Sequence, residues 1–202
     1  MNKRLSFFMS LLVIILAPVT AMAAPVIFTH SGMGSGSLGG VSFDSSSFTI
    51  TAYGDTDNVN SSSIFADFFT DHDSAFINID GTGTYEFLIP TQTFVYGDRV
   101  AGFGWYNNIS DEIGMDLFTG PTDYVGYDGW EMQTSIGPLT GIGIISQWTF
   151  ADVNTSGGIL ILDNSSTGGA TFSATVVPVP TTILLLFSGL AGLVGIRRKY
   201  KK

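Results

Sequence analysis

From residue 24 to residue 176 no helical spacing of apolar residues persists for more than two turns. That excludes a fold built on amphipathic helices. Short runs rich in Phe, Ile, Val, Thr and Tyr take their place, punctuated by Gly, Asn, Asp and Ser, as expected of strands joined by turns. "SFTITAY" (47–53) puts Phe48, Ile50 and Ala52 on one face and Thr49, Thr51 and Tyr53 on the other. "SAFINID" (74–80) alternates too, with Phe76 the apolar exception opposite Ala75, Ile77 and Ile79. "GTYEFLI", "QTFVYG", "RVAGFGWY", "EIGMDLF", "ISQWTF", "GILILD" and "ATFSATVV" continue the series. Only "SSIFADFFTD" (62–71) has a spacing compatible with a short helix. Roughly ten strands without long crossover helices predict an all-β domain, a single antiparallel β-sandwich or jelly-roll-like unit.

The charge distribution narrows the partners. All seventeen acidic residues fall between Asp44 and Asp163, where Arg99 is the one basic residue. The central region therefore carries a net charge of −16 with histidine neutral. No nucleic acid is expected as a partner, because phosphate binding relies on lysine and arginine. Anionic lipid is disfavoured for the same reason. The charge suits an exported domain that repels its own copies, or one that collects divalent cations. With no cysteine, such a domain has no disulfides and depends on a packed core or on bound ions.

The N-terminus supplies the export route. Lys3 and Arg4 precede a mostly apolar run over 5–16, then Pro18 and the small-residue site Ala21-Met22-Ala23. This is the layout of a secretory signal peptide over residues 1–23, removed by signal peptidase after Ala23. The β-rich extracytoplasmic domain then covers 24–176.

Catalytic motifs find little support in the sequence. "GSGSLG" (34–39) matches a dinucleotide fingerprint in letters, but the strand-like "VSFDSSSFTITA" follows where a helix is required. His30 and His72 are the only histidines. His30 stands beside a glycine-rich stretch read as flexible, and His72, between Asp71 and Asp73, reads as part of a solvated acidic turn whose carboxylates favour the charged imidazole. No catalytic residue and no organic cofactor is assigned. "DTDNVN" from Asp55 opens like a calcium loop, then departs from it: Val59 takes a ligand position, Asn60 replaces glycine and Ala66 replaces the closing glutamate. A looser Ca²⁺ site on Asp55, Asp57 and Asn58 stays open as a reading. Trp105-Tyr106 and Trp130 are core residues or, on the alternative reading, a sugar-stacking platform.

The C-terminus has three parts in fixed order. Val177-Pro178-Val179-Pro180 cannot continue a strand ladder, because proline has no N–H to give. An apolar stretch of fourteen residues follows from Ile183 to Ile196, and then "RRKYKK" with Arg197, Arg198 and Lys199. At 1.5 Å per residue the stretch spans roughly 21 Å, short of the ~30 Å hydrocarbon core. With flanking threonines and snorkelling basic residues it still crosses, leaving the basic end cytoplasmic. Gly189, Gly192 and Gly195 weaken that helix and allow another helix to approach closely.

This ending resembles a PEP-CTERM sorting signal of Gram-negative bacteria that make exopolysaccharide. The matching residues are Val177, Pro178 and Pro180, the run from Phe187 to Ile196, and Arg197-Arg198-Lys199; Val179 stands where the family usually has glutamate. The central "HSGMGSGSLGG" and "GTGTYEF" are also similar to the β-rich passengers that carry this signal. The resemblance implies processing by an exosortase-like membrane enzyme, after transient membrane contact through the C-terminal helix. It implies release or attachment at the cell envelope or surface, in biofilm or exopolysaccharide assembly. Other readings stay open: a carbohydrate- or calcium-binding surface module, a secreted hydrolase, and a permanently anchored single-span protein.

Overall fold

A computed structural model describes residues 24–62, 66–96, 99–106, 114–122 and 125–178. The expected signal peptide and residues 179–202 lie outside the described residues. The described chain is all-β and every strand pairing in it is antiparallel.

The strands form one continuous, curled sheet, a half-barrel whose two wings face each other in a sandwich-like way. One wing comprises β3 (Val59–Ser62), β4 (Ala66–Asp71), β7 (Thr91–Tyr96), β8 (Val100–Tyr106) and β9 (Gly114–Thr119). The other comprises β13 (Ser165–Val176), β1 (Pro25–Leu38), β2 (Val41–Asp55), β5 (Ser74–Ile79) and β6 (Gly83–Glu86). β10 (Ile136–Ile145) joins the wings by pairing with both β9 and β13. Across the interior the β2 ring of Phe48 meets the β9 ring of Phe118 edge-on, centroids 5.3 Å apart.

The alternation expected in β2 and β5 is present: Phe48, Ile50, Ala52, Ala75, Ile77 and Ile79 are all buried. Two expectations change. "SSIFADFFTD" contributes a strand, since β4 starts at Ala66 and turns Ala66 and Thr70 inward. "ISQWTF" is a turn, in which Gln147 adopts φ +61°. The strand there is the preceding β10, and the Trp148 indole inserts into the core, donating to the Leu117 carbonyl at 2.7 Å.

The largest departure is β1. The glycine-rich "HSGMGSGSLGG", read as flexible, supplies the second half of a fourteen-residue strand at the centre of the sheet, with its last two glycines in the turn to β2. Its inward positions shrink along its length, from Phe28 and His30 to Gly32 and Gly34. A Cβ on Gly32 would press against Phe48 and Phe118 at 3.1–3.2 Å, and one on Gly34 would lie 2.9 Å from Ile145. Glycine here makes room for side chains from elsewhere in the sheet. On one side β1 passes from β13, last paired at Ser31, to β12 (Gly158–Leu162), first paired at Gly36, while its ladder with β2 shifts register between Gly34 and Gly36. The same logic covers Gly102 on β8. It pairs with Phe94, whose ring occupies the space a side chain would need.

One end of the curl is closed. After β6, Phe87 bridges Thr155 of β11 (Val153–Thr155), β11 pairs with β12, and β12 pairs with β1. With β2 and β5 this completes a six-strand ring. Backbone bonds from Leu88 to Asn154 and from Ser156 to Glu86, both 2.9 Å, flank the bridge. Phe87, Val153, Leu160 and Leu162 fill its interior. Closure covers the β6 edge, which would otherwise offer unpaired backbone groups to other chains. Replacing Phe87 by Ala is expected to cost about 3–5 kcal/mol. Leu88→Ala, one residue away but 62% exposed, should change stability by less than ~0.5 kcal/mol. Guanidinium unfolding of the two variants checks the difference.

Candidate functional site

Among the described residues, a polar constellation at the core joins three elements. His30 points inward from β1 and is fully buried. His72 follows β4, in the turn before β5, and continues the alternation that turns Thr70 inward and leaves Asp71 exposed. Thr91 and Thr93 are buried on β7. The Thr93 hydroxyl lies 2.9 Å from His72 Nε2 and 3.3 Å from His30 Nε2, and the Thr91 hydroxyl lies 2.9 Å from His72 Nδ1.

A hydroxyl has one proton, so Thr93 donates to one imidazole and accepts from the other. His30 Nδ1 has no hydrogen-bond partner, which selects between the two arrangements. An unpaired buried N–H costs more than an unpaired ring lone pair. His30 therefore carries its proton on Nε2 and donates to Thr93. Thr93 donates to His72 Nε2, and His72 Nδ1–H donates to Thr91. The chain of bonds runs one way across the core.

Aromatic rings enclose the pair. Phe172 lies 4.8 Å from the His30 ring, with Phe103 and Phe118 edge-on to it. Phe103 also stacks on His72 at 5.7 Å and 12°, and Phe28 lies 5.8 Å from it. Burial among these rings lowers the pKa of both histidines to about 3, and a positive charge on His30 would lower that of His72 further. Both are neutral at pH 7. The expectation that flanking carboxylates favour a charged His72 is thus not met, although the residue stays partly exposed. Asp71 and Asp73 point outward, and the imidazole takes its partners from threonine. As chemistry, the arrangement is a polar clamp that ties β1, the β4–β5 turn and β7 together.

No family model, curated protein or solved structure matches this chain.

The predicted site residues are placed as follows. Asp55 caps the 3-10 turn Thr56–Asn58 by accepting from the Asp57 N–H at 2.8 Å. The Asn58 carbonyl accepts from Asn60 Nδ2 at 2.8 Å, and the Asp57 and Asn58 side chains lie at the surface. The three residues form one exposed turn whose polar groups partly satisfy one another. Among the described residues no group of three or more His, Asp or Glu side chains gathers as a metal cage. Trp130 is buried and its indole donates to the Thr134 carbonyl at 2.8 Å, so it is a core residue and not part of a sugar platform. Trp105 is partly buried against the core.

Val177 and Pro178 of the expected sorting motif lie within the described residues, and the Val177 N–H donates to the Pro25 carbonyl at 2.8 Å. Val179, Pro180, Ile183, Phe187, Gly189, Gly192, Gly195, Ile196, Arg197, Arg198 and Lys199 lie outside the described residues. Among the described residues no helix is long and apolar enough to cross a membrane.

The histidine clamp has a pH signature. Both histidines titrate at about 3 when folded and near 6.5 when unfolded. Between those values the unfolded chain binds more protons, so stability is full above pH ~6.5 and is lost as pH falls toward ~3. Two protons give a slope of up to about 2.7 kcal/mol per pH unit. Thermal unfolding from pH 7 to pH 4 should show a steep fall, roughly halved in slope by His30→Gln.

Proposed function

We propose that this chain is an exported, exosortase-sorted protein of the cell envelope or extracellular matrix, non-enzymatic and associated with exopolysaccharide. Residues 1–23 direct export. Residues 183–196 hold the chain transiently in the membrane as a short helix, with Arg197, Arg198 and Lys199 on the cytoplasmic side. An exosortase-like enzyme acts near Val177-Pro178-Val179-Pro180, and the sandwich-like β domain is the delivered cargo.

One observation carries the reading: the order of proline motif, short glycine-containing apolar stretch and basic end, behind a secretory-type N-terminus. The domain's geometry is compatible with it. β1 begins at Pro25 and β13 ends at Val176, and the two are antiparallel neighbours with Val26 opposite Val176. The first and last strands therefore present their outer ends side by side, and the tail leaves from the finished edge of a ladder.

Intact-mass measurement of the protein isolated from its native host tests the proposal. A mature chain beginning at Ala24 and ending within 178–182 is the expected result. A chain ending at Lys202 in the membrane fraction would replace the proposal with a permanent anchor.

A further inference from the structure

The outward face of the wing that contains β1 has an order that packing does not require. In one row across six strands the register places Thr140, Thr171, Ser31, Thr49, Asn78 and Thr84 side by side, on β10, β13, β1, β2, β5 and β6. At ~4.8 Å per strand the row extends roughly 24 Å along the curl. The next row begins with Ser173, Thr29 and Thr51, continues to Phe76 and ends at Glu86 on the outer strand β6. None of these side chains is buried, whereas their sequence neighbours Phe28, His30, Ile50, Ile77 and Phe172 form the core.

Hydrogen bonds already hold parts of the first row. The Ser31 and Thr171 hydroxyls are 2.5 Å apart, and Asn78 Nδ2 donates to the Thr84 hydroxyl at 2.7 Å. Each hydroxyl has two acceptor lone pairs, so the row retains capacity for an outside ligand. Two rows further along β2 from Thr49, Tyr53 is 41% exposed and sits edge-on to Phe76 of the intervening row, centroids 6.2 Å apart. The face thus combines ordered neutral hydroxyls with an aromatic pair that has one apolar surface and one polar tip.

We infer that this face is a docking surface for a neutral polysaccharide, lying across β10, β13, β1, β2, β5 and β6. The sugar hydroxyls exchange hydrogen bonds with the Thr/Ser/Asn row, and the apolar side of a sugar ring rests on Tyr53 and Phe76. Charge selects the occupant. A domain of net charge −16 keeps carboxylates out of the six-residue row, and its field repels polyanionic glycans. The same field opposes a second copy of this chain. Ice is disfavoured by the sheet's curl and by the aromatic pair beside the row. The inference rests on the sheet alone, so the outcome of the intact-mass measurement does not bear on it.

The test uses the full chain, with depletion from solution by microcrystalline cellulose and gel-shift in a soluble neutral β-glucan, against anionic alginate. Thr49→Val keeps the β-branched shape and strand propensity while removing the hydroxyl, and Tyr53→Ala removes the exposed ring. The double variant should bind at least tenfold more weakly with an unchanged guanidinium midpoint. Tyr96→Ala, 56% exposed on β7 of the other wing, should bind as the parent does. No retention by either neutral polymer, equal retention by the double variant, or retention by alginate alone would overturn the inference. So would ice-crystal shaping or a dimer abolished by the same substitutions, each of which gives the face to another occupant.

Discussion

The fold depends on the way β1 is held. Over its fourteen residues it pairs with β2 along one side and with β13, then β12, along the other. The register shift against β2 occurs at Ser35, whose hydroxyl donates to Asp44 and accepts from the Ser45 N–H at 2.9 Å. Ser45 has φ +46° there, and an irregularity of this kind strengthens local twist and redirects a strand. Without the pairing of Gly36, Ser37 and Leu38 with β12, β12 and its partner β11 would be detached from β1. The six-strand ring closed by Phe87 would then lose its last seam. Long-range closure of a cysteine-free chain thus passes through one glycine-rich strand.

The inward face of β1 links this backbone constraint to the electrostatics of the core. A side chain large enough to fill the space at Gly32 or Gly34 would displace Phe48, Phe118 or Ile145. Nearer the N-terminus of β1 the space is larger, and Phe28 and His30 fill it. An imidazole in such a place must remain neutral, since moving a charge among aromatic rings is far costlier than burying a hydrogen-bonded neutral group. Thr91 and Thr93 satisfy this requirement with neutral hydroxyls. A carboxylate in their place would draw a proton onto the imidazole and bury an ion pair, which needs excellent geometry to break even. Stability near neutral pH and sensitivity to acid follow from the same arrangement.

Period-2 alternation was legible in the sequence wherever inward residues had side chains to reveal it, as in 47–53 and 74–80. β1 escaped because two of its inward positions are glycine, so its second half shows no apolar face at all. The pattern that betrays such a strand is a glycine at every second position, as in Gly32, Gly34 and Gly36, with Met33 and Ser35 between. "ISQWTF" misled for the opposite reason. Its Ile, Trp and Phe suggest a strand, but the backbone turns at Gln147 and the indole packs as an isolated plug. The histidine clamp was hidden because its members lie 63 and 21 residues apart along the chain. Only the facing of the two wings, which sets β7 across the interior from β1, brings them together. The hydroxyl ladder needs cross-strand register, and a linear sequence does not contain it.

The junction between domain and tail shows how local chemistry can define a boundary. Pro25 opens β1, where its lack of an N–H costs nothing, and its carbonyl accepts the Val177 N–H. Pro178 follows at once and has no N–H with which to extend the ladder. The residue before a proline is also held extended, so the chain leaves the sheet straight. Hydrogen bonding of the last strand is therefore complete at Val177, with no pairing that must be undone for the following segment to be reached. On the sorting proposal, an enzyme acting beyond Val177 would remove the tail without drawing on the stability of the domain. A motif set two or three residues earlier would place its scissile bond within the β1–β13 ladder and oppose cleavage with strand pairing.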